Sequence, residues 1–481
     1  MEDAWDGFDE DMLDEMGISP EDYQEYLQQY HSQSYGQTEE VFAGRQPWRK
    51  MLVDCAQPVL FAPDTQRLVT YIVALCLLQR FINNLVFLPS RVKSLTTGIL
   101  GVCALYLTMD KETLLPLVGL FGVFVLIILW SAKEKRSCGV FVTLFSAAAM
   151  LTFQIHLPSK QFTKLRGALM IFVMKMVSVG VDLDASALNA VPSDAATLFG
   201  YCFDVSSVLF GPWFRFADHW TMLNQPSAIL EQVKSILRGC VKLAFCLFFL
   251  VYSSCLVDWL IPDNAAYISR WLTAFRDAQS YRSSHYFVSF IAEAYVLLAG
   301  FDFGKTVVTS PLHIELPRSL VETVVHWNVP MHRWLRHYVF ERVRKVGAGT
   351  AVICTYVASS FLHGLNFQLS AVLLSLGFYT YAEHVLREKL ARTYNACIRA
   401  RKCAPDCSHQ NKKTHMVVML VNFLFFVLAV FHLTYLGMPF VSAGDDDEHG
   451  YSWKHTWTVW RRFNFISHWV AALTLYFAWA I

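Results

Sequence analysis

From residue 66 to its end, the chain is a succession of apolar runs separated by short polar breaks. Within a bilayer only α-helices and closed barrels satisfy every backbone hydrogen bond, and runs of this length are typical of helices. We therefore expect an all-α, polytopic transmembrane helix bundle of about 10–12 spans, at roughly 20 residues per crossing. The candidate spans are residues 68–88, 95–109, 114–131, 138–156, 166–181, 197–214, 236–261, 285–303, 347–367, 369–386, 415–437 and 463–481.

Composition agrees with a membrane protein and argues against nucleic-acid binding. Only 16% of the residues are charged, whereas soluble domains carry about 25%. The formal net charge of +1 provides no large basic surface for a phosphate backbone, so membrane lipids rather than nucleic acid are the expected surroundings.

The first residues differ from the rest. They are rich in Asp and Glu, and no Lys or Arg precedes Arg45. We expect residues 1–50 to form an acidic, mostly disordered tail and residues 51–481 to form a multi-pass membrane domain. Because the leader lacks the basic start of a signal peptide, the first transmembrane helix is expected to direct insertion at the endoplasmic reticulum.

Several runs are shorter than a perpendicular crossing, and Gly and Pro interrupt others, as in Phe210-Gly211-Pro212-Trp213. Non-helical backbone is tolerated at membrane depth only inside protein or around a cavity. These breaks indicate re-entrant or tilted helices around a central tunnel.

Basic residues predict the topology. Arg342, Arg344 and Lys345 precede the run 347–367, and a second basic cluster from Arg387 onward follows the run 369–386. Because basic loops stay in the cytosol, the two runs predict a helical hairpin that turns at residues 364–366. A helix from Lys345 to His363 is roughly 27 Å long at 1.5 Å per residue, so His363 is expected toward the lumen.

His363 is the strongest catalytic candidate. An ionisable group inside a membrane helix costs about 2.5–3.5 kcal/mol, so it marks a functional site by default. Helical periodicity places Tyr356, Ser359, Ser360 and Phe367 on the same face. A neutral imidazole suits general-base catalysis, because its pKa lies near the working pH. The alternative is a histidine that is merely hydrogen-bonded within the bundle.

Asn328, in His326-Trp327-Asn328-Val329-Pro330, is the candidate donor to a developing oxyanion. Its amide is neutral, and Pro330 biases the backbone there away from helix. The alternative is a turn or capping residue. The chain contains no Gly-x-Ser-x-Gly elbow, phosphate loop or His-Glu-x-x-His helix, which argues against a serine hydrolase and a zinc protease.

The chain has 12 cysteines, most of them within apolar runs, where they are expected to act as small hydrophobic residues without a disulfide framework. A separate group, Cys397, Cys403, Cys407 and His409, lies in the basic loop. Its spacing matches no common zinc finger. Free or lipid-modified thiols are therefore favoured, and no metal is expected.

Two motifs resemble the His and Asn motifs of the membrane-bound O-acyltransferase superfamily. They are Ser360-Phe361-Leu362-His363-Gly364 and Trp327-Asn328-Val329-Pro330. Others are similar to its upstream signatures and to its members that acylate a serine of Wnt proteins. These are Arg166-Gly167-Ala168-Leu169-Met170, Phe210-Gly211-Pro212-Trp213, Glu315-Leu316-Pro317-Arg318-Ser319, Tyr381-Ala382-Glu383-His384-Val385-Leu386-Arg387 and Cys403-Ala404-Pro405-Asp406-Cys407-Ser408-His409.

The resemblance implies an enzyme of the endoplasmic reticulum membrane that uses palmitoleoyl-CoA from the cytosol as a substrate, with no tightly bound cofactor. It implies an acceptor serine on a Wnt hairpin in the lumen. His363 is then the base, and Asn328 orients the donor or the thioester. The expected tunnel residues are Trp327, Tyr338, Tyr356, Ser359 and Ser360, and the expected contacts to CoA phosphates are Arg387 and Arg392.

Two rival interpretations remain open. Another secreted protein, a lipid or a sterol would supply the hydroxyl in the first. In the second, the chain is a non-catalytic transporter or scaffold. A transporter is expected to show paired mid-membrane charges and repeated halves, whereas Lys175 is the clearest intramembrane charge and no repeat accompanies it.

Overall fold

The computed structural model describes residues 47–134, 136–185, 194–225, 228–262, 270–301, 306–404, 406–440 and 453–481. The predicted acidic tail therefore lies almost entirely outside the described residues, and its boundary stays a prediction.

Within these residues the regular structure is helical, as predicted, apart from one isolated bridge between Ala396 and Asn411. The helices are α1 Trp48–Leu60, α2 Pro63–Asn84, α3 Ser90–Thr108, α4 Lys111–Glu134, α5 Cys138–His156, α6 Ser159–Asp184, α7 Ala195–Cys202, α8 Phe216–Asn224, α9 Ile229–Leu260, α10 Arg270–Leu298, α11 Pro311–Glu315, α12 Leu320–Trp327, α13 Val329–Leu335, α14 Ala348–Leu362, α15 Phe367–Thr393, α16 Met416–Gly437, α17 Trp453–Arg462 and α18 Ile466–Ala480. Helix α13 continues directly into a π-helical segment, Arg336–Phe340, and then into a short α-helical segment, Glu341–Val343.

Fewer helices than expected have the length and apolar composition of a membrane span. Among the described residues, α4, α5, α9, α15 and α16 qualify, and the bent pair α1–α2 makes a sixth. Helices such as α6 and α10 are long enough but bury charged residues, including Lys175 and Glu293, against the rest of the protein. The expected number of 10–12 spans counted these interior helices as if they faced lipid. It also counted the shorter apolar helices α14 and α18.

Residues 197–214 are not a span, contrary to expectation. The 8-residue helix α7 ends at Cys202, and an irregular segment with a cis Gly211-Pro212 bond follows it. Most of this segment is buried, including Phe203, Val205 and Trp213. Protein rather than lipid therefore surrounds it, as irregular backbone at membrane depth requires.

The predicted helical hairpin is confirmed. The helices α14 and α15 pack against each other and are joined by residues 363–366. Asn366 caps α15, because its Oδ1 accepts a hydrogen bond from the backbone N–H of Leu369 at 3.1 Å.

The structure contains one disulfide that the sequence did not predict. Cys55 of α1 and Cys255 of α9 are bonded, which ties two elements far apart in sequence. The other cysteines of the described residues are free, including the apolar-run residues Cys76, Cys240 and Cys354.

Candidate active site

His363 follows the last residue of α14 at a sharp turn. Gly364 has φ of +85°, a conformation that ends helices and that L side chains rarely adopt. The turn is held from α5, because Gln154 Oε1 accepts a hydrogen bond from the N–H of Leu365 at 2.7 Å. The histidine therefore stands on a fixed helix end.

The imidazole of His363 lies deep within the protein, yet part of its surface remains accessible. It makes no side-chain hydrogen bond in the part of the chain that the structure describes. Arg166 and His285 are the charged or titratable groups near enough to act on it electrostatically. The ring therefore combines partial access with unused hydrogen-bonding capacity, as a group that exchanges a proton with a ligand requires.

Most of the predicted helix face accompanies His363. Ser359 and Ser360 are buried, and Ser360 Oγ has no hydrogen-bond partner in the described structure. Tyr356 packs its ring against Gly377 of α15. Phe367 does not belong to this face, because α14 ends before it and its side chain in α15 is exposed.

Asn328 is both a cap and an available donor. Its Oδ1 accepts a hydrogen bond from the N–H of Met331 at 3.0 Å, so it caps α13, as the alternative interpretation held. The turn is pinned by a hydrogen bond of 2.8 Å from the N–H of Val329 to the carbonyl of Val308. With Oδ1 engaged, the amide nitrogen keeps its capacity to donate. Helix α13 also contacts α14, so the helices that carry the two motifs are packed against each other.

His285 of α10 connects these motifs and was missed from the sequence. Its Nε2 donates to the carbonyl of Trp327 at 2.8 Å, and its ring stacks on the Trp327 indole with centroids 4.3 Å apart. It also lies close enough to His363 to interact electrostatically. The only signal in the sequence was a histidine at the start of the candidate span 285–303.

The helix that carries His285 is anchored beside it. Arg282 pairs with Glu315 of α11 at 2.9 Å, and the hydroxyl of Tyr286 donates to the same carboxylate at 2.6 Å. These partly buried contacts restrict the rotation of α10 and hence the direction of His285.

Tyr338 occupies the neighbouring core. Its hydroxyl donates to Asp182 Oδ2 at 2.9 Å, and its ring meets that of Trp213 edge-on at 5.8 Å. Trp213 and Trp334 both donate their indole N–H to Ser178 Oγ, at 2.9 and 3.1 Å. Because the hydroxyl of Tyr338 is used by protein, its predicted place in the tunnel wall is limited to its ring.

The assignment of Arg387 to CoA phosphates is wrong. The residue is fully buried, and its guanidinium donates to the carbonyls of Arg318, Ile398 and Arg399 and to Glu383 and Asn422. These hydrogen bonds use all of the donor capacity of an arginine. Arg392, five residues further along the same helix, is exposed at the surface.

The loop after α15 brings together the cysteines and the histidine that the sequence singled out. Hydrogen bonds with His409 and Cys397 lower the pKa of the Cys407 thiol to about 6. This loop lies outside the membrane-spanning helices, between α15 and α16.

Residues 138–405 match the sequence profile of the MBOAT, membrane-bound O-acyltransferase family. The matched region contains Asn328, His363 and their supporting helices. The chain belongs to this family.

Its relatives include a protein-serine O-palmitoleoyltransferase porcupine from Homo sapiens. This relative is 36% identical over 457 residues, which cover 89% of the chain and 97% of the relative. The protein of the same name from Anopheles gambiae is 31% identical, over 71% of the chain and 74% of the relative. A more distant relative, lysophospholipid acyltransferase 2 from Arabidopsis thaliana, is 26% identical over 41% of the chain. The protein is accordingly a multi-pass membrane acyltransferase.

Proposed function

We propose that this acyltransferase transfers a palmitoleoyl group from palmitoleoyl-CoA to a serine hydroxyl of Wnt proteins in the endoplasmic reticulum. The relatives that cover most of the chain support the reaction by the activity in their names. The observation that carries the site is a histidine deep in the protein, accessible and without a side-chain hydrogen bond among the described residues.

The mechanism uses His363 as a general base. A ring nitrogen takes the proton of the serine hydroxyl while the serine oxygen attacks the thioester carbonyl carbon. The resulting oxyanion accepts a hydrogen bond from the amide of Asn328. When the carbonyl re-forms, the carbon–sulfur bond breaks, and the imidazolium returns the proton to the CoA sulfur. The products are an O-acyl serine and CoA thiol, and the histidine is again neutral.

The placement of the cysteines supports substrates that arrive from opposite faces. Asn422 of α16 contacts the Cys397 carbonyl, and Gly437 of the same helix contacts Ala278 of α10. These two points are about 22 Å apart at 1.5 Å per residue. The disulfide lies toward the Gly437 end, because Ser280, two residues from Ala278, donates to the carbonyl of Ser253, two residues from Cys255. Disulfides persist in oxidising compartments, so this end is assigned to the lumen and the loop with free thiols to the cytosol.

The test measures transfer of label from labelled palmitoleoyl-CoA to an added acceptor by microsomes that contain the protein. In one arm the acceptor is a Wnt hairpin peptide, with the same peptide carrying alanine at the acceptor serine as its control. In the other arm it is a lysophospholipid, because a lysophospholipid acyltransferase is among the relatives. We expect label on the serine peptide alone. Label that appears only on the lipid would replace the proposed acceptor and keep the same histidine chemistry.

A further inference from the structure

Residues 394–415, between α15 and α16, form a loop that we call the cysteine loop, and four of its side chains converge on one point. The thiol and imidazole ligand atoms of Cys397, Cys403, Cys407 and His409 all lie within 4.8 Å of one another. Cys397 Sγ is 3.5 Å from Cys407 Sγ and 3.8 Å from His409 Nδ1, and Cys403 Sγ is 3.6 Å from the same nitrogen. Cys397 is buried and the other three are partly exposed.

These distances fit a tetrahedron around a metal ion. With zinc–sulfur bonds of about 2.3 Å and zinc–nitrogen bonds of about 2.0–2.1 Å, the edges of a tetrahedral site are roughly 3.8 Å between sulfurs and 3.6 Å between sulfur and nitrogen. The Sγ atoms of Cys397 and Cys407, at 3.5 Å, are much further apart than the roughly 2.05 Å of a disulfide.

The backbone of the loop holds this geometry. The N–H of Cys397 donates to the carbonyl of Asn411 at 2.9 Å, and the N–H of Asn411 returns a hydrogen bond to the carbonyl of Asn395 at 3.0 Å. The ends of the loop are thereby closed around the four ligands. Lys412 places its ammonium 3.7 Å from Cys407 Sγ and also donates to the carbonyl of Cys407. A lysine there offsets the excess negative charge that three thiolates leave on a divalent ion.

We propose that Cys397, Cys403, Cys407 and His409 bind one Zn²⁺ as a structural site. Three thiolates and an imidazole suit zinc, and four protein ligands leave no open position for catalysis. The sequence disfavoured a metal because the spacing of the ligands matches no common finger. Spacing did not reveal that the chain turns back at Asn411 and brings His409 beside Cys403.

The cysteine loop also contacts the start of α12, the helix that leads to Asn328. Arg318 donates to the carbonyl of Cys397 at 2.8 Å, and Ser319 donates to that of Ala400 at 3.0 Å. Ser319 caps α12 by accepting the N–H of Glu322 at 3.2 Å. A bound zinc thus holds in place the loop carbonyls that contact the start of α12, although the metal itself contacts no reacting group.

The test is the metal content of the full chain, purified in detergent without chelators and measured by mass spectrometry. We expect about one zinc per chain, as for a closed structural site. Cys403→Ser and His409→Ala should lower it to background, whereas Cys354→Ser, a free cysteine of α14, should leave it unchanged. His409→Cys should retain zinc, because four thiolates also form a tetrahedral site.

The unmodified protein gives a result that does not depend on variant folding. Zinc should be released by a thiol-reactive mercurial, and cobalt substituted for it should give the intense absorption of a tetrahedral thiolate site. Zinc at background in the unmodified chain would overturn the site, as would a Cys397–Cys407 disulfide or acylated cysteines in its peptide map. Because metal content is measured without acyl transfer, failure of the proposed reaction leaves this result intact.

Discussion

Two regions of the molecule place ionisable side chains deep in an apolar bundle, and they differ in what surrounds those side chains. In the first, Lys175, Asp204 and His219 are all fully buried. Lys175 Nζ donates to the carbonyl of Tyr201 at 2.7 Å and to Ser207 Oγ at 2.8 Å. Ser207 donates to Asp204 at 3.1 Å, and Asp204 Oδ2 lies 3.3 Å from His219 Nε2. In the second, His363 is accessible and makes no side-chain hydrogen bond among the described residues.

The comparison separates structure from chemistry. A charge that is sealed from solvent and hydrogen-bonded to neighbouring protein groups cannot be reached by a substrate, and it stabilises one packing arrangement. A deep imidazole with unused nitrogens can still exchange a proton with a ligand. An ionisable group in the membrane therefore suggests a functional site only when access and hydrogen-bonding capacity remain.

The largest expected effect is on catalysis at His363. His363→Ala should lower acyl transfer by about 10²–10⁴-fold, the usual contribution of general acid–base catalysis, and leave the melting temperature nearly unchanged. The matched control is His384→Ala, an exposed histidine of α15. Turnover of the His363 variant within a few-fold of normal would remove the base assignment and with it the distinction between the two regions.

The reverse pattern is expected in the buried network. Lys175→Met removes the donor to the Tyr201 carbonyl and the positive charge that acts on the Asp204 carboxylate through Ser207. Leaving a buried charge uncompensated costs about 3–5 kcal/mol. Thermal unfolding followed by size-exclusion chromatography should show a large loss of folded protein, with near-normal turnover per folded molecule. Lys175→Met with Asp204→Asn should recover part of the stability. A variant that keeps its stability but loses turnover would instead place Lys175 in the chemistry.

Asn328 is the N-cap of α13 and the proposed donor to the oxyanion, and substitutions at this residue can separate the two roles. Asn328→Asp keeps a good N-cap, so we expect stability to change by less than about 0.5 kcal/mol. A carboxylate cannot donate to an oxyanion, and loss of one such donor costs about 10²–10³-fold in kcat. Steady-state kinetics and thermal unfolding of the same preparation measure both. If Asn328→Asp remains active and Asn328→Ala is only less stable, the residue is a cap alone.

The sequence predicted the hairpin of α14 and α15 because basic clusters and apolar runs report topology directly. It also proposed His363 and Asn328 as site residues through their motifs, and the helices that carry these residues contact each other. It could not assign Arg387, because nothing in its local sequence shows that the carbonyls of residues 398 and 399 fold back onto it. His285 was missed for a similar reason, since its partner Trp327 belongs to another helix. Contacts between distant segments decide such roles.

Arg387 and Arg392 should therefore respond differently to substitution. Arg392→Ala removes an exposed charge and should raise the KM for palmitoleoyl-CoA by about 2–5-fold, in line with roughly 0.5–1 kcal/mol for a surface ion pair. Arg387→Met should lower stability and leave that KM unchanged. Arg401→Ala, which also removes an exposed arginine, is the comparison. An unchanged KM for palmitoleoyl-CoA in Arg392→Ala would remove Arg392 from the CoA site.

The smallest expected effect concerns Ser360, which shares one property with each of the two regions. Its hydroxyl is buried like the charged network but has no partner in the described structure, as a group that awaits a substrate would. Ser360→Ala should therefore not lower stability, because no hydrogen bond within the protein is lost. If the hydroxyl contacts a substrate, kcat/KM should fall by about 2–12-fold, which corresponds to one hydrogen bond of 0.5–1.5 kcal/mol. Ser359→Ala, on the same helix face, is the comparison. Unchanged kinetics together with greater stability would show that Ser360 is an unsatisfied packing residue rather than part of the substrate path.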